Sequence, residues 1–125
     1  MNVGLTNLDL GHPRTELRRE LVAAVLAGKK TATAGLLAEY DAEGDAVPVA
    51  GDRFVLNGFD DEPLGVVEIT EARTVPAREI DVAFARAEGE GFESVEEWRL
   101  AHERFFERPI EPSTMIVALR FRLVD

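Results

Sequence analysis

Residues 15–33 read Thr-Glu-Leu-Arg-Arg-Glu-Leu-Val-Ala-Ala-Val-Leu-Ala-Gly-Lys-Lys-Thr-Ala-Thr and pass from a helical pattern to an extended one. Leu17, Leu21 and Val25 recur at helical spacing, and charged residues occupy the opposite side. This pattern predicts an amphipathic helix over 15–27. The segment therefore places a helix directly before a pair of lysines.

The residues after this helix predict a change to extended structure. Gly28 is placed to end the helix in the left-handed conformation. Residues 29–34 alternate threonine with alanine and predict a short strand or extended loop. A helical turn is expected over 36–40, and an acidic loop with a glycine and a proline over 41–51.

The remainder of the chain predicts strands with two helices between them. Strands are expected over 53–56, 64–75 and 114–123, with a turn region over 57–63. One helix is expected over 80–88, and another opens at Ser94, where Glu97 three residues later completes a capping box. Several strands with inserted helices indicate an α+β domain with a small, mostly antiparallel β-barrel.

Length and composition narrow the possible partners. A chain of 125 residues has the usual size of one domain, so residues 1–125 are expected to form a single one. The net charge of −10 opposes binding to duplex DNA or long RNA, because phosphate backbones are held by lysine and arginine. A local basic cleft is still compatible with that sum.

No segment predicts a membrane span or a secretory signal, so a cytoplasmic location with no membrane partner is expected. The chain has no cysteine and only two histidines, His12 and His102, which argues against a zinc site. No glycine-rich phosphate loop precedes a helix. We therefore expect neither a metal nor a cofactor.

Two segments resemble the ASCH domain family. The run 28–33, Gly-Lys-Lys-Thr-Ala-Thr, is similar to its opening Gly-x-Lys signature, with Thr33 where Glu is common and Gly35 where Arg is common. The run 87–91, Ala-Glu-Gly-Glu-Gly, is similar to a longer subgroup known mostly from bacterial proteins. The similarity to that subgroup continues through Ser94, Trp98, Arg99, His102, Phe105 and Phe106.

This resemblance implies a PUA-like barrel and a function linked to RNA or its components. One branch of the family hydrolyses the amide of N4-acetylcytidine and, like this chain, has threonine where glutamate is common. By motif position, the resemblance assigns Lys30 as proton acceptor, Thr33 as nucleophile and Glu90 as proton donor.

The residues themselves allow plainer alternatives to these roles. A threonine hydroxyl attacks an amide only when a neighbouring base removes its proton. In an extended strand Lys30 and Thr33 would face opposite sides, so a turn or bulge is required to bring them together. Otherwise Lys30 is a solvated lysine at a helix end, a position that Lys29 fits better, and Thr33 is an ordinary strand residue.

The second segment supplies the remaining candidates. Two glycines in 88–91 allow a sharp bend that turns Glu90 into a pocket, with Glu88 as the alternative, although glutamates are usually solvated. Trp98 and His102 share a helical face, where Trp98 either stacks on a base or fills the core. Arg99 either contacts substrate or pairs with a neighbouring acid. The expected substrate-binding residues are Lys29, Thr31, Glu88, Trp98, Arg99 and His102.

Two functions from different classes follow. The first is an amidohydrolase acting on a small acylated nucleobase or nucleoside. The second is an RNA-binding module or ribonuclease that docks RNA on a local basic cleft. The oligomeric state stays open. The cleft would include Lys29 and Lys30 together with several of Arg73, Arg78, Arg86, Arg99 and Arg104.

Overall fold

The computed structural model describes residues 6–8, 16–58, 60 and 62–124. His12 lies outside these ranges, and so does Thr15, where the first helix is expected to begin. None of the helices in the described ranges combines the length and apolar character that crossing a bilayer requires. In chain order the elements are β1 (Thr6–Leu8), α1 (Glu16–Leu26), β2 (Ala32–Leu36), α2 (Leu37–Glu43), β3 (Arg53–Asn57), β4 (Pro63–Pro76), a 3₁₀ turn (Ala77–Glu79), α3 (Val82–Ala87), α4 (Val95–Phe106) and β5 (Met115–Leu123).

The strands form one sheet in the order β1-β3-β4-β5-β2. Strand β1 pairs with β3 in parallel, and the other three pairings are antiparallel. The four antiparallel strands curl into a half-barrel with helices packed around it. The predicted α+β class and mostly antiparallel sheet are therefore confirmed. The parallel strand β1 is an addition that the sequence pattern did not predict.

Strand β5 is buried on both faces, which explains its nearly continuous apolar sequence. Val117, Leu119 and Phe121 pack in one core cluster with residues of α1, β3 and β4. Ile116 and Ala118 pack in a second cluster on the other face, with residues of β2, α3 and α4. Because successive side chains of a strand alternate in direction, this single strand joins the two cores.

Helix α2 extends further than the sequence pattern predicted. A helical turn was expected over 36–40 with a loop from residue 41, but the helix continues to Glu43. Gly44 then adopts a left-handed conformation with φ of 70°, and the N–H of Asp45 donates to the carbonyl of Tyr40. This glycine-capped end satisfies terminal carbonyls of the helix, and the loop begins only after it.

Helix α4 begins where the capping box predicted. The Ser94 hydroxyl accepts a hydrogen bond from the N–H of Glu97 at 3.1 Å. The Glu97 carboxylate in turn accepts the N–H of Glu93 at 3.2 Å, one residue before the cap. The helix is thereby fixed in a position that buries Trp98 and His102 on its inner face.

Candidate functional site

The exit of α1 turns Lys30 into the protein. Gly28 has φ of 77°, and the N–H groups of Lys29 and Lys30 both donate to the carbonyl of Ala24, at 2.9 and 3.1 Å. The chain therefore folds back over the last turn of the helix. Strand β2 starts only at Ala32, later than the predicted start at residue 29. Lys30 thus precedes the strand and is not subject to the alternation that would set it opposite Thr33.

The loop after α3 packs against this turn, backbone to backbone. The N–H of Thr31 donates to the carbonyl of Ala87 at 2.7 Å. Gly89 has φ of 72°, and a β-carbon there would lie 2.3 Å from the carbonyl oxygen of Lys29 and 2.8 Å from the Cα of Lys30. Only glycine allows such an approach, which brings the flanking glutamates to Lys30.

Lys30 is enclosed by the two glutamates of this loop. Its Nζ atom lies 3.6 Å from Oε1 of Glu88 and 3.6 Å from Oε2 of Glu90. It also donates to the backbone carbonyl of Glu88 at 3.3 Å. The side chains of Lys30 and Glu88 are each 1% exposed, whereas that of Glu90 is 28% exposed. One carboxylate is therefore internal and the other reaches solvent.

Glu88 is held from the opposite side by helix α4. The indole N–H of Trp98 donates to its Oε2 atom, and Nε2 of His102 lies 3.2 Å from its Oε1 atom. The other ring nitrogen of His102 lies 2.8 Å from the carbonyl oxygen of Trp98. The two rings stack with their centroids 4.4 Å apart. The internal carboxylate thus has partners from both α4 and the turn after α1.

These groups open onto a cavity of about 220 Å³. Its apolar side is formed by Leu17 and Leu21 of α1 together with Phe92 and Phe105. Its polar side is formed by Lys30, Thr33, Glu88, Glu90 and His102. The cavity therefore joins a hydroxyl, an ammonium group, two carboxylates and an imidazole, which is a set suited to acid–base and nucleophilic chemistry.

Burial and neighbouring charges shift two of these groups in the same direction. Burial raises the pKa of Glu90, Lys30 opposes this effect, and the charge of Glu88 adds to it. Burial lowers the pKa of His102, but its hydrogen bond to Glu88 and the charge of that carboxylate outweigh burial, so the net pKa is raised. A carboxyl group with a raised pKa is suited to donate a proton near neutral pH.

The structure places the remaining predicted site residues away from this cavity. Lys29 is exposed, and the Thr31 hydroxyl donates to the carbonyl of Ala87 at 3.4 Å. Trp98 is part of the second core cluster, behind Glu88. Arg99 pairs with the carboxylates of the neighbouring helical residues 96 and 103. Of the six expected substrate-binding residues, Glu88 and His102 line the cavity.

Several features of the site were missed by sequence reasoning. The apolar side of the cavity comes from residues that the helical pattern assigned to the core, such as Leu17 and Leu21. Glu88, expected as a substrate-binding residue and as an alternative to Glu90, instead lies at the centre of the contacts. The glycine beside it and the tryptophan ten residues later were a signal of a packed site. The burial of its carboxylate, however, depends on partners from other elements. No group of three or more side chains suited to hold a metal ion occurs within the described ranges.

Comparisons with known proteins give one family match and several similar solved structures. The family model described as ASCH domain matches residues 10–125. The chain is similar to a crystal structure of a protein from Enterococcus faecalis V583, with 28% identity over 88% of this chain and 70% of that one, at a TM-score of 0.78. No curated protein matches the chain significantly.

Two further solved structures share the fold. An ASCH domain from Lactobacillus crispatus JV V101 has 24% identity over 95% of this chain and 79% of that one, at a TM-score of 0.81. An ASCH protein from Zymomonas mobilis has 15% identity over 82% of this chain and 63% of that one, at a TM-score of 0.52. The curled sheet with surrounding helices is the PUA-like α+β fold of these domains.

Proposed function

The chain belongs to the ASCH domain family, and we propose that it is a small amidohydrolase that deacylates a nucleobase or nucleoside such as N4-acetylcytidine. One observation carries this proposal. Lys30, Thr33 and Glu90 line one cavity, and the Lys30 amine lies 3.6 Å from the Glu90 carboxylate. Amide hydrolysis needs a nucleophile, a base that activates it and an acid for the leaving nitrogen, and these three side chains supply those groups.

The base and the acid arise together from the Lys30–Glu90 pair. Movement of one proton from Nζ of Lys30 to Oε2 of Glu90 converts an ion pair into a neutral amine and a carboxylic acid. The raised pKa of Glu90, caused first by burial, favours this direction. A substrate that fills the cavity expels water, and loss of water favours a neutral pair over an ion pair.

The reaction then proceeds in two steps, acylation of Thr33 and hydrolysis of the resulting ester. Oγ1 of Thr33 attacks the acyl carbon while the Lys30 amine takes the hydroxyl proton. The carbon–nitrogen bond breaks, and the departing nitrogen receives the Glu90 proton. A water molecule then attacks the ester on Thr33 and gives a proton to Glu90, while Lys30 returns its proton to the threonine oxygen. The products are a carboxylic acid and the free amine of the base.

The size of the cavity supports a small substrate. Its volume of about 220 Å³ lies below the roughly 300–1,000 Å³ of pockets for drug-sized ligands. A single base or nucleoside, with one part outside the cavity, suits this space. The apolar side offers Phe92 and Phe105 as surfaces for a planar ring, while the acyl amide meets the polar side.

The charge distribution supports the same ligand over RNA. Lys30 is buried between two carboxylates, so it adds no net positive charge to the cavity. Arg73 lies 3.4 Å from the carboxylate of Glu71, and Arg99 pairs with the acids at 96 and 103. Lys30, Arg73 and Arg99, three of the basic residues expected in a cleft for RNA, are thus paired with acids, which weakens their attraction for phosphate.

Acetate release from N4-acetylcytidine tests the proposal. We expect turnover by the unaltered protein and at least a hundredfold loss in Thr33→Ala, because the nucleophile is removed. Thr31→Ala is the matched control and should keep activity within about threefold, since this exposed hydroxyl lies outside the cavity. Full activity in Thr33→Ala would exclude the nucleophile role.

A second experiment separates the hydrolase from an RNA-binding module. Titration with single-stranded and duplex RNA at low salt is expected to show no binding. Affinity that falls steeply with salt, together with no turnover of any acylated base or nucleoside, would replace the hydrolase by the RNA-binding alternative.

A further inference from the structure

The ring of His102 has two polar contacts that together define its protonation. Its Nδ1 atom lies 2.8 Å from the carbonyl oxygen of Trp98. A carbonyl oxygen only accepts hydrogen bonds, so Nδ1 must carry a proton. A neutral ring with its proton on Nδ1 would then present a bare lone pair at Nε2.

That lone pair would face a carboxylate. Nε2 of His102 lies 3.2 Å from Oε1 of Glu88, so a proton is needed on one of the two atoms. Imidazole is the stronger base, with a usual pKa of about 6.5 against about 4.3 for a glutamate. Glu88 also accepts the indole N–H of Trp98 and lies beside the Lys30 ammonium, so other positive or donor groups already face this carboxylate. The proton therefore belongs on Nε2.

We propose that His102 is a positively charged imidazolium at neutral pH and that, with Trp98, it fixes Glu88 as an ionised positioning residue for Lys30. The buried group then balances two positive charges, on His102 and Lys30, with two negative charges, on Glu88 and Glu90. This protonation state does not depend on catalysis.

Its consequence for catalysis rests on the proposed function. The N–H groups of Trp98 and His102 and the Lys30 ammonium surround the Glu88 carboxylate, which fixes its position inside the protein. Glu90 contacts Lys30 alone among the charged groups described here and is 28% exposed, so it is the carboxyl that exchanges a proton. The two glutamates on either side of Gly89 thus have different roles: Glu88 positions the lysine and Glu90 serves as the acid.

The surroundings of His102 contain the charged groups that act on it. Glu88 and Glu90 face it from the loop after α3, with Lys30 beyond them on the turn after α1. The rings of Phe92 and Phe106 flank it, each with its centroid 5.8 Å away. Burial disfavours the imidazolium, but the contact with Glu88 and the charges of the two carboxylates outweigh burial and raise the pKa of His102.

Nitrogen NMR of the full chain labelled with ¹⁵N-histidine tests this directly. The variant His12→Asn leaves His102 as the remaining histidine, so its two ring nitrogens are assigned without ambiguity. At pH 7 we expect both nitrogens to show imidazolium shifts. A neutral ring at pH 7, with the proton on either nitrogen, would overturn the proposal.

Two glutamine variants locate the cause. Glu88→Gln should lower the proton affinity of His102 at least tenfold, because the carboxylate in contact with the ring is lost. Glu90→Gln is the matched control and should lower it less, since that carboxylate lies further from the ring. An equal or larger effect of Glu90→Gln would assign the charge of His102 to Glu90 and refute the role of Glu88. These NMR measurements need no turnover, so they test the charge of His102 independently of the proposed hydrolase activity.

In acetate release, Glu88→Gln should move the pH profile more than it changes Km, because the Glu88 carboxylate acts on the reaction through Lys30. If Glu88→Gln leaves the pH profile unchanged and lowers only the amount of folded protein, Glu88 has a structural role alone. If Glu88→Gln does not fold, the NMR shifts of the unaltered Glu88 protein still decide the charge of His102.

Discussion

Gly89 lies so close to Lys29 that a β-carbon on the glycine would be 2.3 Å from the lysine carbonyl oxygen. The backbone of the loop after α3 thereby rests on the backbone of the turn after α1. Because the neighbouring residues Lys30, Glu88 and Glu90 form the charged part of the site, this contact controls how closely the lysine and the two carboxylates approach one another.

Gly89→Ala should therefore be strongly destabilising. The new methyl group clashes with backbone atoms that cannot move aside, and alanine at φ of 72° is strained, so a loss of about 2–5 kcal/mol in unfolding free energy is expected. Gly91→Ala is the control, since Gly91 has φ of 86° but open space around it, and should lose about 1–2 kcal/mol. Urea denaturation measures both, and equal losses would show that the close contact is unimportant.

Lys30→Met should also destabilise the fold, because it removes the cation that Glu88 and Glu90 share and leaves Glu90 without its ion-pair partner. Removal of one partner from a buried ion pair typically costs about 3–5 kcal/mol. Lys29→Met removes the same charge from an exposed position and should change stability by less than about 0.5 kcal/mol. Chemical denaturation of both variants checks this, and similar stabilities would contradict the buried pairing.

The stabilisation that Glu90 and His102 contribute should fall as the pH rises. The pKa of Glu90 is raised above its usual 4.5 by burial, and that of His102 is raised above 6.5 because Glu88 outweighs burial. The folded protein therefore binds protons at both groups more tightly than the unfolded chain does. Their contribution is complete below the unfolded pKa values and is lost as the pH passes through the folded ones.

Denaturation at a series of pH values measures this dependence. Glu90→Gln should remove the part of the decline that begins near pH 4.5, and His102→Gln the part that begins near pH 6.5. A slope above pH 6.5 that survives in His102→Gln would place its origin in another group.

Ser94→Ala should weaken the start of α4. Loss of the hydroxyl that accepts the N–H of Glu97 is expected to cost about 1 kcal/mol. Ser113→Ala changes an exposed serine and should be nearly neutral. Thermal unfolding compares the two variants, and equal destabilisation would show that the Ser94 cap does not stabilise α4.

Much of the fold was predictable because its signals are local. The apolar spacing of α1, the serine cap of α4 and the alternating strands each depend on a few neighbouring residues. The parallel pairing of β1 with β3 was not predictable in this way, because Thr6 and its partner Phe54 are distant in sequence.

The site was predicted only in part for the same reason. Lys30, Thr33 and Glu90 were identified through family resemblance and do line one cavity. The inward turn of Lys30 depends on hydrogen bonds to Ala24, which residue types do not reveal. The burial of Glu88 depends on donors ten and fourteen residues further along, and a lone glutamate is usually expected in solvent.

The placement of β5 between the two cores also determines how the protein unfolds. Each core cluster contains alternate residues of β5, so this strand cannot leave one cluster without leaving the other. The unfolding of the described region should therefore be a single cooperative transition, with amides of β5 among the slowest to exchange with deuterium.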